Sequence, residues 1–282
     1  MRLGITAFLT DRDMAPGDLA RAAEERGFDS FYLPEHTHLP LRADTPPALV
    51  EGVRLDDYKR SLDPFVALAS AVAVTERISL GTGVVLVAQH DPIVLGKQIA
   101  TLDHLSGGRV IFGIGFGWNR QEAADHGIDF ADRRAIAREN VLCMQALWSQ
   151  EQTEFHGAYV HLDPCWSWPK PVQQPRVTTL VGGRPHPGVF GAIAEYADGW
   201  MPIGGAGLAA ALPELRRAVE ARGRDPKAIT IVPFGTVPSD EKLAHYQGLE
   251  VDEVVLRVPS GPPEEMLRVL DAHAVYVERF GG

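Results

Sequence analysis

Two aliphatic runs joined by one amphipathic helix fill residues 77–119, and that order constrains the fold more than any other feature of the chain. Residues 78–87 are rich in β-branched and aliphatic side chains, interrupted by Gly81 and Gly83. Residues 92–105 set Ile93, Leu95, Ile99, Leu102 and Leu105 at helical spacing. Ser106-Gly107-Gly108 stops that helix, and 109–114 form a second apolar strand. Apolar strands connected through a helix lie parallel, in a sheet covered on both faces.

The same alternation runs the length of the 282 residues. Strands are expected at 3–9, 30–34, 78–87, 109–114, 177–181, 199–203, 229–234 and 253–258. Helices are expected at 16–26, 64–75, 92–105, 131–150, 187–196, 207–222, 240–247 and 262–280. Several begin with proline, whose fixed φ and missing N–H suit a first turn. Eight βα units predict an α/β fold, a single (β/α)8 TIM barrel with 1–282 as one domain. An open doubly wound sheet is the alternative, although nothing marks a switch point.

Two segments break the rhythm. Residues 38–63 follow the second strand and contain Pro40, Pro46 and Pro47; a long loop there is expected to be a substrate lid, or else a surface excursion. Residues 153–162 alternate as a small hairpin before the fifth strand, and 164–175 form a proline- and tryptophan-rich arm. On that arm Trp166 and Trp168 are candidates for a pocket wall or for packing against the barrel.

Composition narrows the function. Against 27 Lys and Arg stand 37 Asp and Glu, a net charge of −10 with no basic run, which argues against a nucleic-acid partner. No apolar run has the length of a membrane span, so no membrane partner is expected. The start, MRLGITAFL, enters a strand with no small-residue cleavage site, and a cytoplasmic protein is expected. Cys143 and Cys165 read as two reduced thiols.

Barrel chemistry gathers at the C-terminal ends of the strands. His36, at the end of the second strand, can donate a proton or stabilise developing charge; a purely structural histidine is the other reading. His36-Thr37-His38 invites a metal site, but the later strands end in glycines and Met201-Pro202, which supply no ligands, so no metal is expected. The glycines of 113–117 lack the GxGxxG spacing of a dinucleotide fingerprint. Gly182-Gly183-Arg184 leads into a helix near Pro187, and exposed N–H groups beside an arginine can form an anion site, or simply a glycine turn. Glu122 lies within reach of the pocket rim and is assigned no role.

LDHLSGGR at 102–109 and GIGFGW at 113–118 give the chain a specific resemblance. It extends through GFDSFYLPEH at 27–36, TLVGG at 179–183 and ADGWMP at 197–202. The chain resembles the luciferase-like flavin and deazaflavin oxidoreductases, notably the shorter branch that uses coenzyme F420. That resemblance implies a bacterial luciferase-like barrel with His36 catalytic beside the reactive carbon of the deazaflavin. It implies a strand bulge with a non-proline cis peptide at Gly83-Val84. It also implies cofactor contacts from Glu35, Gly83, Val84, Gly115, Phe116, Gly117, Trp118, Gln121, Gly182, Gly183 and Arg184, with Arg120 a further contact for the anionic tail. The sequence departs from the family at Glu35, where PE replaces the usual SD or AD, and at Trp118. An acidic residue replaces Trp118 in the sugar-phosphate dehydrogenase branch, so that substrate class is disfavoured. The expected partners are a small-molecule substrate, apolar or aromatic on account of Phe8, Trp118 and Trp166, and a second copy in a homodimer. An FMN-dependent monooxygenase and a non-catalytic flavin-binding barrel remain the alternatives.

Overall fold

A computed structural model describes residues 1–41 and 54–282. The strands are β1 (Arg2–Ala7), β2 (Ser30–Leu33), β3 (Ser79–Thr82), β4 (Val85–Leu86), β5 (Val110–Gly115), β6 (Thr153–His156), β7 (His161–Cys165), β8 (Thr179–Gly182), β9 (Gly199–Met201), β10 (Thr230–Ile231), β11 (Phe234–Thr236) and β12 (Glu253–Val258). The helices are α1 (Pro16–Glu25), α2 (Leu55–Tyr58), α3 (Pro64–Val72), α4 (Pro92–Ser106), α5 (Arg120–Asp125), α6 (Arg133–Ser149), α7 (Pro187–Tyr196), α8 (Leu208–Glu220), α9 (Asp240–Gly248) and α10 (Pro263–Phe280).

The main sheet runs β10-β9-β8-β5-β3-β2-β1-β12-β11, parallel at every pairing, with β4 on β5. β10 and β11 are halves of one strand interrupted at Val232-Pro233. On one side Val232 N donates to Trp200 O and Phe234 N to Pro202 O, each at 2.9 Å; on the other, Val255 N donates to Pro233 O at 2.9 Å. The ring therefore closes, and the expected barrel is the observed one. The third strand is likewise split, into β3 and β4, by a cis peptide at Gly83-Val84.

Period-2 alternation sorts side chains into two cores. Leu3, Ile5, Phe31, Leu33, Val254 and Leu256 face the helices, whereas Tyr32, Ile111, Leu180, Met201, Val232 and Val255 fill the barrel. A polar plug occupies the N-terminal end: Glu253, fully buried, accepts from Ser30 Oγ and pairs with Arg2 at 3.0 Å. Burial pushes its carboxyl pKa up, against the opposing pull of Arg2. That plug leaves the C-terminal mouth as the accessible end.

One expectation is met with an addition, one is corrected, and one lies partly outside the described residues. The helix expected at 131–150 is preceded by a separate one, α5, because the Asn119 side chain caps a turn by accepting from the N–H groups of Gln121 and Glu122. The arm at 164–175 runs over the outside of the barrel: Lys97 of α4 donates to the Trp168 carbonyl, and Lys170 reaches carbonyls of Leu147 and Gln150 at the end of α6. Trp166 and Trp168 are 70% and 54% exposed there and do not wall the mouth. Of the lid expected at 38–63, residues 42–53 lie outside the described residues, and α2 forms part of the remainder. Both cysteines are free; burial raises the Cys143 thiol to about 11, which keeps it protonated.

Candidate functional site

The end of β2 and the short helix α5 meet at the mouth. His36 Nδ1 lies 3.1 and 3.0 Å from the two oxygens of Glu122. A carboxylate only accepts, so Nδ1 carries the hydrogen and Nε2 is left for the pocket. Glu122 is fully buried, on the third residue of α5, where the positive end of the helix favours its charge. Phe8, Tyr58 and Trp118 surround the imidazole with ring centroids 6.3, 5.1 and 5.8 Å away. The His36 side chain is only 7% exposed. The arrangement can hold one proton at a defined atom in a mostly apolar setting.

The next residues extend the same junction. His38 Nε2 lies 2.9 Å from Asp125, Thr37 Oγ1 lies 2.8 Å from His126 Nε2, and Thr37 Oγ1 lies 2.9 Å from His38 Nδ1. One consistent chain has His126 donating to Thr37, Thr37 to His38, and His38 to Asp125. Three consecutive residues after β2 are thereby tied to one face of α5.

Glu35 points elsewhere. Its buried carboxylate accepts from Leu86 N at 2.7 Å and from His90 Nε2 at 2.8 Å, so it joins β2 to β4 and the turn that follows. Burial opposes the charge on His90, but the Glu35 hydrogen bond and charge, with Asp63, outweigh it and raise its pKa. Val84 packs on the interior cluster with its methyls over Gly115 and Gly182; a Cβ at either glycine would stand 2.4 or 2.6 Å from them. The two backbones can approach Val84 only because both residues lack a side chain.

Beyond Gly115 three arginines gather around two phenylalanine rings. Arg133 and Arg120 lie over the Phe130 ring at 3.7 and 4.5 Å, and Arg134 over Phe116 at 4.7 Å. None of the three forms an ion pair among the described residues, and Arg133 Nε and Arg134 Nη1 are buried without an acceptor. Burial, then the charges of Arg134 and Arg120, lower the Arg133 pKa. Arg134 also lies against the first turn of α7 at Gly188, beside a cavity of about 230 Å³ lined by Phe116, Arg134, Arg222 and the Arg138–Glu195 pair. Arg133 Nη1 donates to the Phe130 carbonyl, and the two guanidinium nitrogens without an acceptor can each donate to an anion. Arg184 is exposed on the loop between β8 and α7, on the same side.

Sequence reasoning placed His36, Gly83, Val84, the 115–118 loop, Gln121 and 182–184 at one end of the barrel, and the structure brings them there. It missed Glu122 as the partner of His36, and it missed Arg133 and Arg134. Each carried a signal. Asn119-x-x-Glu122 is a helix-start signature, and two arginines in the first turn of α6 oppose the helix dipole. Among the described residues, no three His, Cys, Asp or Glu side chains are arranged to hold a metal ion. No helix among them is long and apolar enough to cross a membrane.

The luciferase-like monooxygenase family model matches residues 15–249. An uncharacterized protein of Mycobacterium tuberculosis is 43% identical over 283 residues, covering 99% of this chain and 97% of the relative. A Kineococcus radiotolerans protein named F420-dependent glucose-6-phosphate dehydrogenase is 33% identical over 235 residues, covering 79% of this chain and 64% of the relative. Among solved structures, a monooxygenase from Streptomyces bottropensis superposes with a TM-score of 0.75 at 21% identity, covering 99% of both chains. An F420-dependent secondary alcohol dehydrogenase in complex with an F420-acetone adduct gives 0.75 at 17% identity, covering 97% of both. At these identities the two structures establish the shared fold alone.

Proposed function

The chain belongs to the luciferase-like monooxygenase family, and from that premise we propose that it is an F420-dependent oxidoreductase acting on a small organic substrate. The observation that carries the reading is the buried His36–Glu122 pair at the mouth, with both carboxylate oxygens within 3.1 Å of Nδ1. F420 rather than FMN is supported by curated relatives named as F420-dependent at 33% and 30% identity. The residues also suit an anionic cofactor: two buried guanidinium nitrogens lack acceptors, in a cluster of three arginines that form no ion pair among the described residues.

Arg120, Arg133 and Arg134, with the start of α7 and Arg184, would hold the anionic tail; Val84 and the glycines at 115 and 182 would line the ring site. When bound, the deazaflavin supplies or accepts the hydride. His36, as imidazolium, would donate its Nε2 proton to a substrate heteroatom and remain as the neutral tautomer with its hydrogen on Nδ1, facing Glu122. Phe8, Tyr58 and Trp118 exclude water around that proton and favour an apolar or aromatic substrate.

Equilibrium binding to the purified protein, followed by fluorescence quenching, tests the reading. The expected result is tight binding of F420 and negligible binding of FMN, with Arg134→Ala weakening F420 by about 10-fold or more, the worth of a charged hydrogen bond. Preference for FMN, with oxygen uptake by the reduced flavin complex, would assign the monooxygenase chemistry instead.

A further inference from the structure

The β6–β7 hairpin, packed on α6, presents an ordered row of side chains. Thr153, Phe155, Val160, Leu162 and Cys165 turn toward α6, where they join Cys143 and Leu147 or are buried beside them. The other face carries Glu154, His156, His161 and Asp163, all exposed. His156 and His161 are direct cross-strand partners, and their Nδ1 atoms stand 3.1 Å apart with ring centroids 4.5 Å apart. The far nitrogen of each ring has its own carboxylate: His156 Nε2 to Glu154 at 3.8 Å and His161 Nε2 to Asp163 at 3.4 Å.

This geometry asks for a cation. The carboxylates lie on the Nε2 side of each ring, and with the hydrogen there on both rings two Nδ1 lone pairs face each other. Two lone pairs at 3.1 Å repel unless a proton or a metal ion lies between them. Imidazole nitrogens each about 2.1 Å from one zinc ion and separated by this distance subtend about 95°, between the octahedral and tetrahedral angles. Carboxylates on the non-ligating nitrogens are the usual outer partners of metal-bound histidine. The hairpin is also held in place: Glu139 of α6 accepts from the backbone N–H groups of Ala158, Tyr159 and Val160 at 2.9, 2.7 and 3.0 Å. A clamped turn spares the ligands part of the ordering cost of binding.

We propose that this hairpin is a divalent transition-metal site, with His156 Nδ1 and His161 Nδ1 as its protein ligands. Water, or a donor from another molecule, completes the coordination. Imidazole ligands select zinc, nickel or copper over magnesium or calcium. The site lies outside the barrel mouth and is independent of the cofactor chemistry.

Titration of the chelator-treated full-length protein with zinc chloride, followed calorimetrically and repeated with nickel chloride, tests it. The expected result is one equivalent bound by the wild-type chain and that equivalent absent from both His156→Ala and His161→Ala, with unchanged thermal melts. Replacing Glu154 by Gln together with Asp163 by Asn keeps the ligands and is expected to retain the stoichiometry while weakening zinc by about 10- to 100-fold. Three results would overturn the proposal: no uptake by the wild-type chain, an equivalent that survives both histidine variants, or one removed only by His38→Ala or His126→Ala.

Discussion

At the scale of single residues, the site depends on a contact between positions 86 apart in the chain, His36 and Glu122. His36 was legible as a candidate because it ends an apolar strand of a βα unit, where barrel chemistry gathers. Glu122 was not, because its burial depends on where α5 lands. If His36 supplies the proton, His36→Ala is expected to lower single-turnover hydride transfer by about 10²- to 10⁴-fold, the range for a general acid. Glu122→Gln replaces an acceptor-only carboxylate by a neutral amide that can accept or donate, so the tautomer is no longer fixed, and is expected to slow the same step without weakening F420 binding. Rapid-mixing absorbance of the deazaflavin measures the rate, and nitrogen NMR of the imidazole reports whether the hydrogen remains on Nδ1. Unchanged rates in both variants would remove the pair from the chemistry.

At the scale of elements, β12 and α7 fall where periodicity places them, at Glu253–Val258 and Pro187–Tyr196, because each is a regular pattern bounded by turn or proline signals. Periodicity gives the third strand as one run, and the family resemblance supplies the cis peptide at Gly83-Val84 that divides it; the division into β3 and β4 leaves Leu86 N to be met by Glu35, which also holds His90. That link titrates. The His90 pKa is raised in the folded chain, so its contribution to stability is complete below the unfolded value of about 6.5 and is lost as pH rises through the higher folded value. Urea unfolding at pH 6 and pH 9 is therefore expected to show a loss in the wild-type chain that is smaller in His90→Gln, which keeps a donor for Glu35 but does not titrate. An equal loss in both proteins would refute the linkage.

At the scale of the whole molecule, closure of the ring decides how tightly the strands must approach. Gly113 faces the Thr82 carbonyl across β5 and β3, and a Cβ there would stand 2.0 Å from that oxygen. Backbone cannot step aside as a side chain can, so Gly113→Ala is expected to cost about 3 kcal/mol or more and to lower the melting temperature sharply. A melt within a degree of wild type would show that the barrel relaxes there. The βα alternation, the parallel sheet, the anonymous glycine loops and the strand-end histidine were determined by the sequence alone, because they follow from local periodicity and from the chemistry of each residue type. The partner of His36, the gathering of the three arginines, the outward course of the tryptophan arm and the facing imidazoles of the hairpin were decided by tertiary structure. They are meetings between distant segments, and one-dimensional spacing carries no term for which of two helix faces, or which side of a barrel, a side chain finally meets.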